Sequence, residues 1–354
     1  MRALGRKAFV TGITGQDGAY LAKFLLEKGY EVFGGFRRLS TPNFWRLNYL
    51  GIAEKISLIP IDMNDLSSLI EAINFISPDE IYNLAAQSFV GTSFEEPLST
   101  GNTTGLGVTR ILEAARLARK DARIYQASTS ELFGNMDRGR RDEDSVFSPE
   151  SPYAAAKLYS YWMCKVYRKG YGMFVSNGIL FNHESPIRGL EFVTRKVTNS
   201  VARIKLGLQT QISLGNLESI RDWGYAGDYV EAMWMMLQTD EPKDLIISTG
   251  IGHSVKDLIE LAFDKAGVDP RGKYLSIPEY KRVIDVDVLI GDNTKAKETL
   301  GWEPKTSFEQ MIDSMYQEDL ARWSAYLEGK KIFWDGPSYG ERLKILKTRY
   351  SLKT

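Results

Sequence analysis

Gly12, Gly15 and Gly18 fall at a G-x-x-G-x-x-G spacing in the run Thr11-Gly12-Ile13-Thr14-Gly15-Gln16-Asp17-Gly18. Before them, Lys7–Thr11 (KAFVT) predicts a short buried strand. After them, Gly15–Lys28 carries Leu21, Phe24, Leu25 and Leu26 at helical spacing and predicts a helix. A glycine-rich turn between a first strand and a first helix lets backbone N–H groups approach a pyrophosphate at the helix N-terminus. In that position the spacing points to dinucleotide binding, with Thr14, Gln16 and Asp17 completing the turn.

The rest of the first half repeats the same unit. Strands are predicted at Tyr30–Phe36, Ile56–Ile61, Glu80–Leu84 and Arg123–Ala127, with helices at about 65–76 and at Gly101–Ala118. Alternating strands and helices with short connections predict an α/β fold, a doubly wound parallel sheet of the Rossmann type. Beyond about residue 180 the alternation loosens. Helices at Phe192–Leu206 and Ala226–Leu237 and strands at Gln211–Leu214 and Leu245–Ser248 predict a smaller α/β lobe over the carboxyl ends of the sheet. The expected division is 1–180 for the dinucleotide, 181–330 mainly for the substrate, and 331–354 as a C-terminal extension.

Across 354 residues, 45 Lys and Arg balance 45 Asp and Glu, so neither a nucleic-acid nor a membrane-seeking surface is indicated. A positive site for an anionic substrate must be local. The one cysteine, Cys164, excludes a disulfide framework and reads as a packing residue. No signal peptide and no membrane-length apolar run is seen, and a cytoplasmic enzyme is expected. The two histidines, His183 and His253, lie far apart, and no Cys, His and acid cluster has metal-ligand spacing, so no metal is expected.

An acid commonly closes the second strand in NAD-preferring folds. Here the segment reads Gly34-Gly35-Phe36-Arg37-Arg38-Leu39-Ser40. Two guanidiniums and a hydroxyl suit a 2′-phosphate, so Arg37, Arg38 and Ser40 predict NADP. Asp62 and Met63, after the third strand, are placed at the adenine. Leu84, Ala85, Ala86, Gln87 and Ser88, after the fourth, would line the pyrophosphate and the nicotinamide ribose.

Tyr153 and Lys157 are four residues apart, and on a helix they share a face. A cation beside the phenol, together with an oxidised nicotinamide, would make Tyr153 a base near neutrality. Ala127-Ser128-Thr129-Ser130-Glu131 leaves the fifth strand. Thr129 can bond the reacting sugar hydroxyl. Glu131 is the discriminating residue: an epimerase only moves a hydride at one carbon, whereas a dehydratase must also move protons at the next two.

With these residues in hand, the chain resembles the GDP-mannose 4,6-dehydratases of the extended short-chain dehydrogenase group. The likeness runs from about Arg6 to Met315 through blocks such as GITGQDGAYLAKFLLEKGYEV (12–32), YQASTSELFG (125–134), GILFNHESP (178–186) and LGNLESIRDWGYAGDYVEAMW (214–234). The resemblance implies Thr129, Glu131, Tyr153 and Lys157 as the catalytic set. It implies substrate contacts from Asn182, Val193, Lys196, Leu214, Gly215, Arg221 and Arg282, with Ser88, Ser128 and Glu131 near the sugar and His183 and Arg188 near the cofactor. A GDP-sugar substrate and a homodimer or homotetramer are implied as well.

Three departures keep alternatives open. Glu150 stands where the family commonly has a basic residue, and the stretch from about Gly267 to Arg282 is shorter than usual. Asp285 replaces a glutamate expected to hold the nucleotide ribose. Another GDP-sugar such as a GDP-heptose, an epimerase or decarboxylase of the same fold, or a catalytically silent dinucleotide-binding protein therefore stay in view.

Overall fold

The computed structural model describes residues 5–41, 43–135, 139–280, 283–330 and 334. The strands are β1 (Lys7–Thr11), β2 (Glu31–Phe36), β3 (Ser57–Pro60), β4 (Glu80–Asn83), β5 (Arg123–Ala127) and β6 (Val175–Leu180). With the strand Asp244–Ile247 they form a seven-stranded sheet in the order Asp244–Ile247, β6, β5, β4, β1, β2, β3. Every pairing in it is parallel. This is the expected doubly wound α/β fold.

The sheet is apolar on both faces because its strands alternate. Ala8 and Val10 pack with Leu21, Leu25 and Tyr125 on one side, while Phe9 packs with Leu69, Ile73, Ile81 and Ile111 on the other. From β1 the chain runs outward to β2 and β3, then returns to place β4 on the opposite flank of β1. The reversal opens a crevice at the carboxyl ends of β1 and β4, where Thr11 and Asn83 are register partners.

The helix predicted at Gly101–Ala118 starts earlier, at Pro97. It runs as α-helix over Pro97–Thr100, as a π-type turn over Gly101–Leu106, and again as α-helix to Ala118. The spacing of apolar residues identifies the later α-helical turns but cannot register the wide turn inside. Cys164 is buried in the helix Pro152–Tyr171.

A smaller lobe covers the crevice. Its sheet centres on Ile220–Tyr225, flanked by Gly252–Ser254 and Val288–Leu289, with Asn182–Glu184 paired alongside. The strands Ile212–Leu214 and Tyr274–Ser276 pair separately. The helices Val193–Lys205, Val255–Ala266 and Phe308–Leu327 close its core around Trp223 and Phe263. Residues 226–247 return to the large sheet, where the helix Ala226–Met236 packs on the first helix, Gln16–Glu27. Among the described residues no helix is long and apolar enough to cross a membrane, and no group of three His, Cys, Asp or Glu could hold a metal ion.

Candidate active site

The chain turns out of β1 at Gly12 with φ +69°, a left-handed conformation that favours glycine. A Cβ at Gly12 would fall 2.9 Å from the Ala85 nitrogen, so the loop and the end of β4 touch through backbone alone. Gly15 is the N-cap of the first helix and no side chain caps it, which leaves first-turn N–H groups to serve an anion.

Below this turn a polar chain crosses the strand ends. The Thr11 hydroxyl donates to Asn83 Oδ1 at 2.6 Å, Asn83 Nδ2 donates to Gln126 Oε1 at 2.7 Å, and Gln126 Nε2 donates to the Ala127 carbonyl at 2.8 Å. The ammonium of Lys157 donates to that same carbonyl at 2.6 Å. Lys157 and Tyr153 project from the helix Pro152–Tyr171, whose start is set by Pro152 and by Ser151, which accepts from the Ala154 N–H at 3.0 Å.

Above lies a cleft of about 530 Å³. Its walls include Gly12, Thr14, Gly15, Gln16, Asp17 and Gly18 from the first turn, Arg37 and Met63 from the β2 and β3 ends, and Leu84 through Ser88 after β4. Ser128, Thr129, Glu131, Tyr153, Lys157, Asn182, His183 and Arg188 complete the walls. Arg38, Ser40 and Asp62 lie outside this lining; Arg38 and Ser40 are exposed, and Asp62 Oδ1 accepts from the Asn64 N–H at 2.9 Å.

Val193, Lys196, Leu214, Gly215, Arg221 and Asp285 are also outside the lining, in the small lobe. Lys196 donates to the Ser213 carbonyl at 2.7 Å and sits 4.2 Å from the Tyr280 ring centroid. Arg221 pairs with Asp285 at 3.6 Å, and Ser219 donates to the other Asp285 oxygen at 3.2 Å. Arg282 falls outside the described residues, as does the 331–354 extension apart from Trp334.

The electrostatics of the cleft separate two groups of residues. Asp17 and His183 form a pair at 2.8 Å, with His183 Nδ1 set 2.7 Å from the Phe181 carbonyl. Burial opposes the Asp17 charge, but His183 and Arg188 outweigh it and hold the carboxyl at about 2. Burial likewise opposes the His183 charge, and Asp17 reverses the outcome and raises it. At Tyr153, burial raises the phenol; the Thr129 hydrogen bond lowers it in part, and Glu131 raises it further. Burial brings the Lys157 ammonium down to about 8. Lys157 Nζ lies 5.8 Å from the Tyr153 ring centroid, so the two meet on one helix face as their spacing predicts, and burial outweighs the groups that lower the phenol.

The sequence profile of the family described as GDP-mannose 4,6 dehydratase matches residues 9–315. The chain belongs to that family. GDP-mannose 4,6 dehydratase 1 of Arabidopsis thaliana is 48% identical over 323 residues, covering 88% of this chain and 89% of the relative. The GDP-mannose 4,6-dehydratase of Vibrio cholerae is 44% identical over 349 residues, covering 89% and 94%. A dTDP-glucose 4,6-dehydratase of Streptomyces venezuelae, solved with NAD bound, superposes with a TM-score of 0.81 at 22% identity over 91% of this chain and 98% of its own. That last likeness speaks to the fold.

In this GDP-mannose 4,6-dehydratase family member, spacing arguments miss the two residues that hold Arg188, of which Phe192 lines the cleft and Glu184 does not. Glu184 is buried, accepts from the Thr194 hydroxyl at 2.6 Å and pairs with Arg188 at 3.2 Å. The Arg188 guanidinium carbon lies over the Phe192 ring, 3.4 Å from its centroid. Neither carries a sequence signal: Glu184 sits in the polar run Asn182-His183-Glu184-Ser185, and Phe192 precedes a helix with no capping pattern.

Proposed function

We propose that the protein is a hydro-lyase that converts GDP-mannose to GDP-4-keto-6-deoxymannose, with NADP held in the cleft. The observation that carries this reading is the meeting of Thr129, Glu131, Tyr153 and Lys157 at the foot of the glycine-turn cleft. A cleft with both a phenol and a carboxyl suits elimination better than epimerisation. The residues fit a dinucleotide. The uncapped helix start suits a pyrophosphate, and the Ser128 Oγ and Asn182 Oδ1 are buried with no protein partner, ready for ligand hydroxyls or an amide. Arg37 on the cleft wall, with no acid at the end of β2, supports NADP over NAD.

Bound, the nicotinamide supplies a hydride acceptor for C4, a donor for C6, and a positive charge beside the phenol. Tyr153 Oη takes the proton of the sugar C4 hydroxyl, with Thr129 holding that hydroxyl in line. The C4 ketone acidifies C5, and the Glu131 carboxylate removes the C5 proton. The same carboxyl protonates the C6 hydroxyl, which leaves as water. Tyr153 then returns a proton to C5. Lys196, Arg221 and Arg282 serve the diphosphate and nucleotide, with Asp285 at the ribose. Asp17, His183 and Arg188 serve the cofactor.

A homodimer or homotetramer belongs to the same reading. Tyr159, Trp162 and Val166 recur on one face of the helix Pro152–Tyr171 and are 40%, 51% and 52% exposed, an apolar stripe suited to a second copy. Light scattering on the purified chain tests it. A cytoplasmic location is supported by the single buried thiol.

The deciding experiment is incubation with NADP⁺ and GDP-mannose, followed by mass. Loss of one water without net NADPH is the expected result. An intact GDP-mannose alongside dehydration of a GDP-heptose would reassign the sugar, and no turnover of any GDP-sugar would leave a dinucleotide-binding protein.

A further inference from the structure

Arg188 enters the cleft from the turn that follows Asn182–Glu184, and that turn is held in an unusual way. The carbonyls of three successive residues each accept from a different arginine. Arg322 Nη1 donates to the Pro186 carbonyl at 2.6 Å, Arg46 Nε donates to the Ile187 carbonyl at 2.7 Å, and Arg195 Nη1 donates to the Arg188 carbonyl at 2.7 Å. The three arginines come from three helices, Phe308–Leu327, Trp45–Tyr49 and Val193–Lys205. The turn is also tied from within, because the Ser185 hydroxyl donates to Gln16 Oε1 at 2.6 Å and so joins it to the start of the first helix.

Two of these cations are deeply buried and share one counter-charge. Arg195 is fully buried and Arg322 nearly so, and Asp319 lies between them. Arg195 Nε reaches both Asp319 oxygens at 2.7 and 3.0 Å, Arg322 Nη1 lies 3.3 Å from Asp319 Oδ1, and the Thr198 hydroxyl donates to Oδ2 at 2.8 Å. A buried pair of this kind costs desolvation that apolar packing would avoid, so it contributes little as a stabilising device. What it provides is directed donors. A guanidinium carries five N–H groups in a planar fork, so it can satisfy a carboxylate and still aim one donor at a carbonyl. Arg46 extends the same arrangement to the glycine turn, since its Nη1 donates to the Thr14 carbonyl at 3.2 Å.

The geometry points to Arg195, Arg322 and their shared Asp319 as positioning residues for cofactor binding. They fix the 186–188 backbone so that the Arg188 guanidinium, stacked on Phe192 and paired with Glu184, faces the anionic part of the dinucleotide. This rests on the reading above that Arg188 serves the cofactor. The consequence is that residues which line no part of the cleft set the affinity for the dinucleotide and leave the sugar-nucleotide end alone.

A double-mutant cycle tests this on the full-length chain freed of bound nucleotide, with NADP⁺ and GDP titrated separately. Arg195→Lys keeps the charge against Asp319 but loses the second directed donor. It should weaken NADP⁺ binding about tenfold, leave GDP binding within about twofold, and cost less than about twofold for NADP⁺ when introduced into Arg188→Met. Arg322→Lys should behave in the same way and serves if Arg195→Lys does not fold. An equal loss of NADP⁺ affinity in both backgrounds, a parallel loss for GDP, or no loss at all overturns the positioning role. If Arg188→Met alone binds NADP⁺ as the parent does, the cofactor reading of Arg188 falls first and the positioning role falls with it.

Discussion

Lys157 Nζ and the Ala127 carbonyl meet at 2.6 Å, which fastens the helix Pro152–Tyr171 to the end of the strand that delivers Thr129 and Glu131. Burial lowers the Lys157 ammonium from 10.5 to about 8, so the folded chain gives up this proton before the unfolded chain does. The associated penalty is about 3 kcal/mol at neutral pH, and it is relieved as pH rises from about 8 to about 10.5. Lys157→Met removes that penalty and loses one charge-assisted hydrogen bond, worth about 1.5–3 kcal/mol, while Gln126 Nε2 still donates to the Ala127 carbonyl at 2.8 Å. The variant should match or exceed the parent in Tm at pH 7, lose that standing by pH 10, and show little turnover. Calorimetry at the two pH values checks it; a difference that does not change with pH contradicts it.

Replacing Glu131 by Gln keeps the shape of the short turn Ser130–Leu132 and removes the proton acceptor. Turnover should fall by about 10²–10⁴, while GDP-mannose binding is retained. Exchange of the C5 hydrogen with solvent deuterium should vanish together with water loss. Persistent exchange would assign the C5 proton to another group.

His183 is one of two histidines, so its imidazole can be followed by NMR with His253 as an internal reference. Asp17 raises the folded His183 pKa against the effect of burial. Stability from this histidine is therefore complete below its unfolded pKa and is lost as pH rises through the folded value. The Asp17 contribution is present above 3.8 and is lost as pH falls towards about 2. In Asp17→Asn only the Phe181 carbonyl still favours the charged ring against burial and Arg188, and His183 should titrate lower than in the parent. An unshifted resonance would mean that the pair is not coupled.

Gly12→Ala places a Cβ against the Ala85 backbone at a φ of +69°. The conformational cost is about 1–2 kcal/mol before the clash is counted. Thermal unfolding should register that loss, and NADP⁺ binding should fall with it because the turn must move.

Arg37→Ala should weaken NADP⁺ more than NAD⁺, by about tenfold in the ratio of dissociation constants. Equal weakening for both would place Arg37 on the pyrophosphate or the adenine.

Local signals carried much of this protein. The glycine turn and the Tyr153–Lys157 pair are legible because each needs residues within one turn and one helix, and the parallel sheet follows from repeated short strands. What stayed hidden depends on distant parts of the chain. Asp319 meets Arg195 from another helix, and no spacing rule links them. The π-type turn Gly101–Leu106 escapes a periodicity argument because a single wide turn leaves the flanking pattern nearly unchanged. The burial that raises the Tyr153 phenol comes from the surrounding fold, and the Tyr153–Lys157 spacing carries no signal of it.

The return of residues 226–247 to the large sheet makes the two lobes one thread rather than two beads. The strand Asp244–Ile247 completes the edge beside β6 only after the chain has built part of the other lobe. Any cut near residue 180 therefore strips the large sheet of its outer strand and the first helix of its covering neighbour. Fragments made there should neither fold nor exchange between copies, and the intact chain should melt in a single heat-absorption peak.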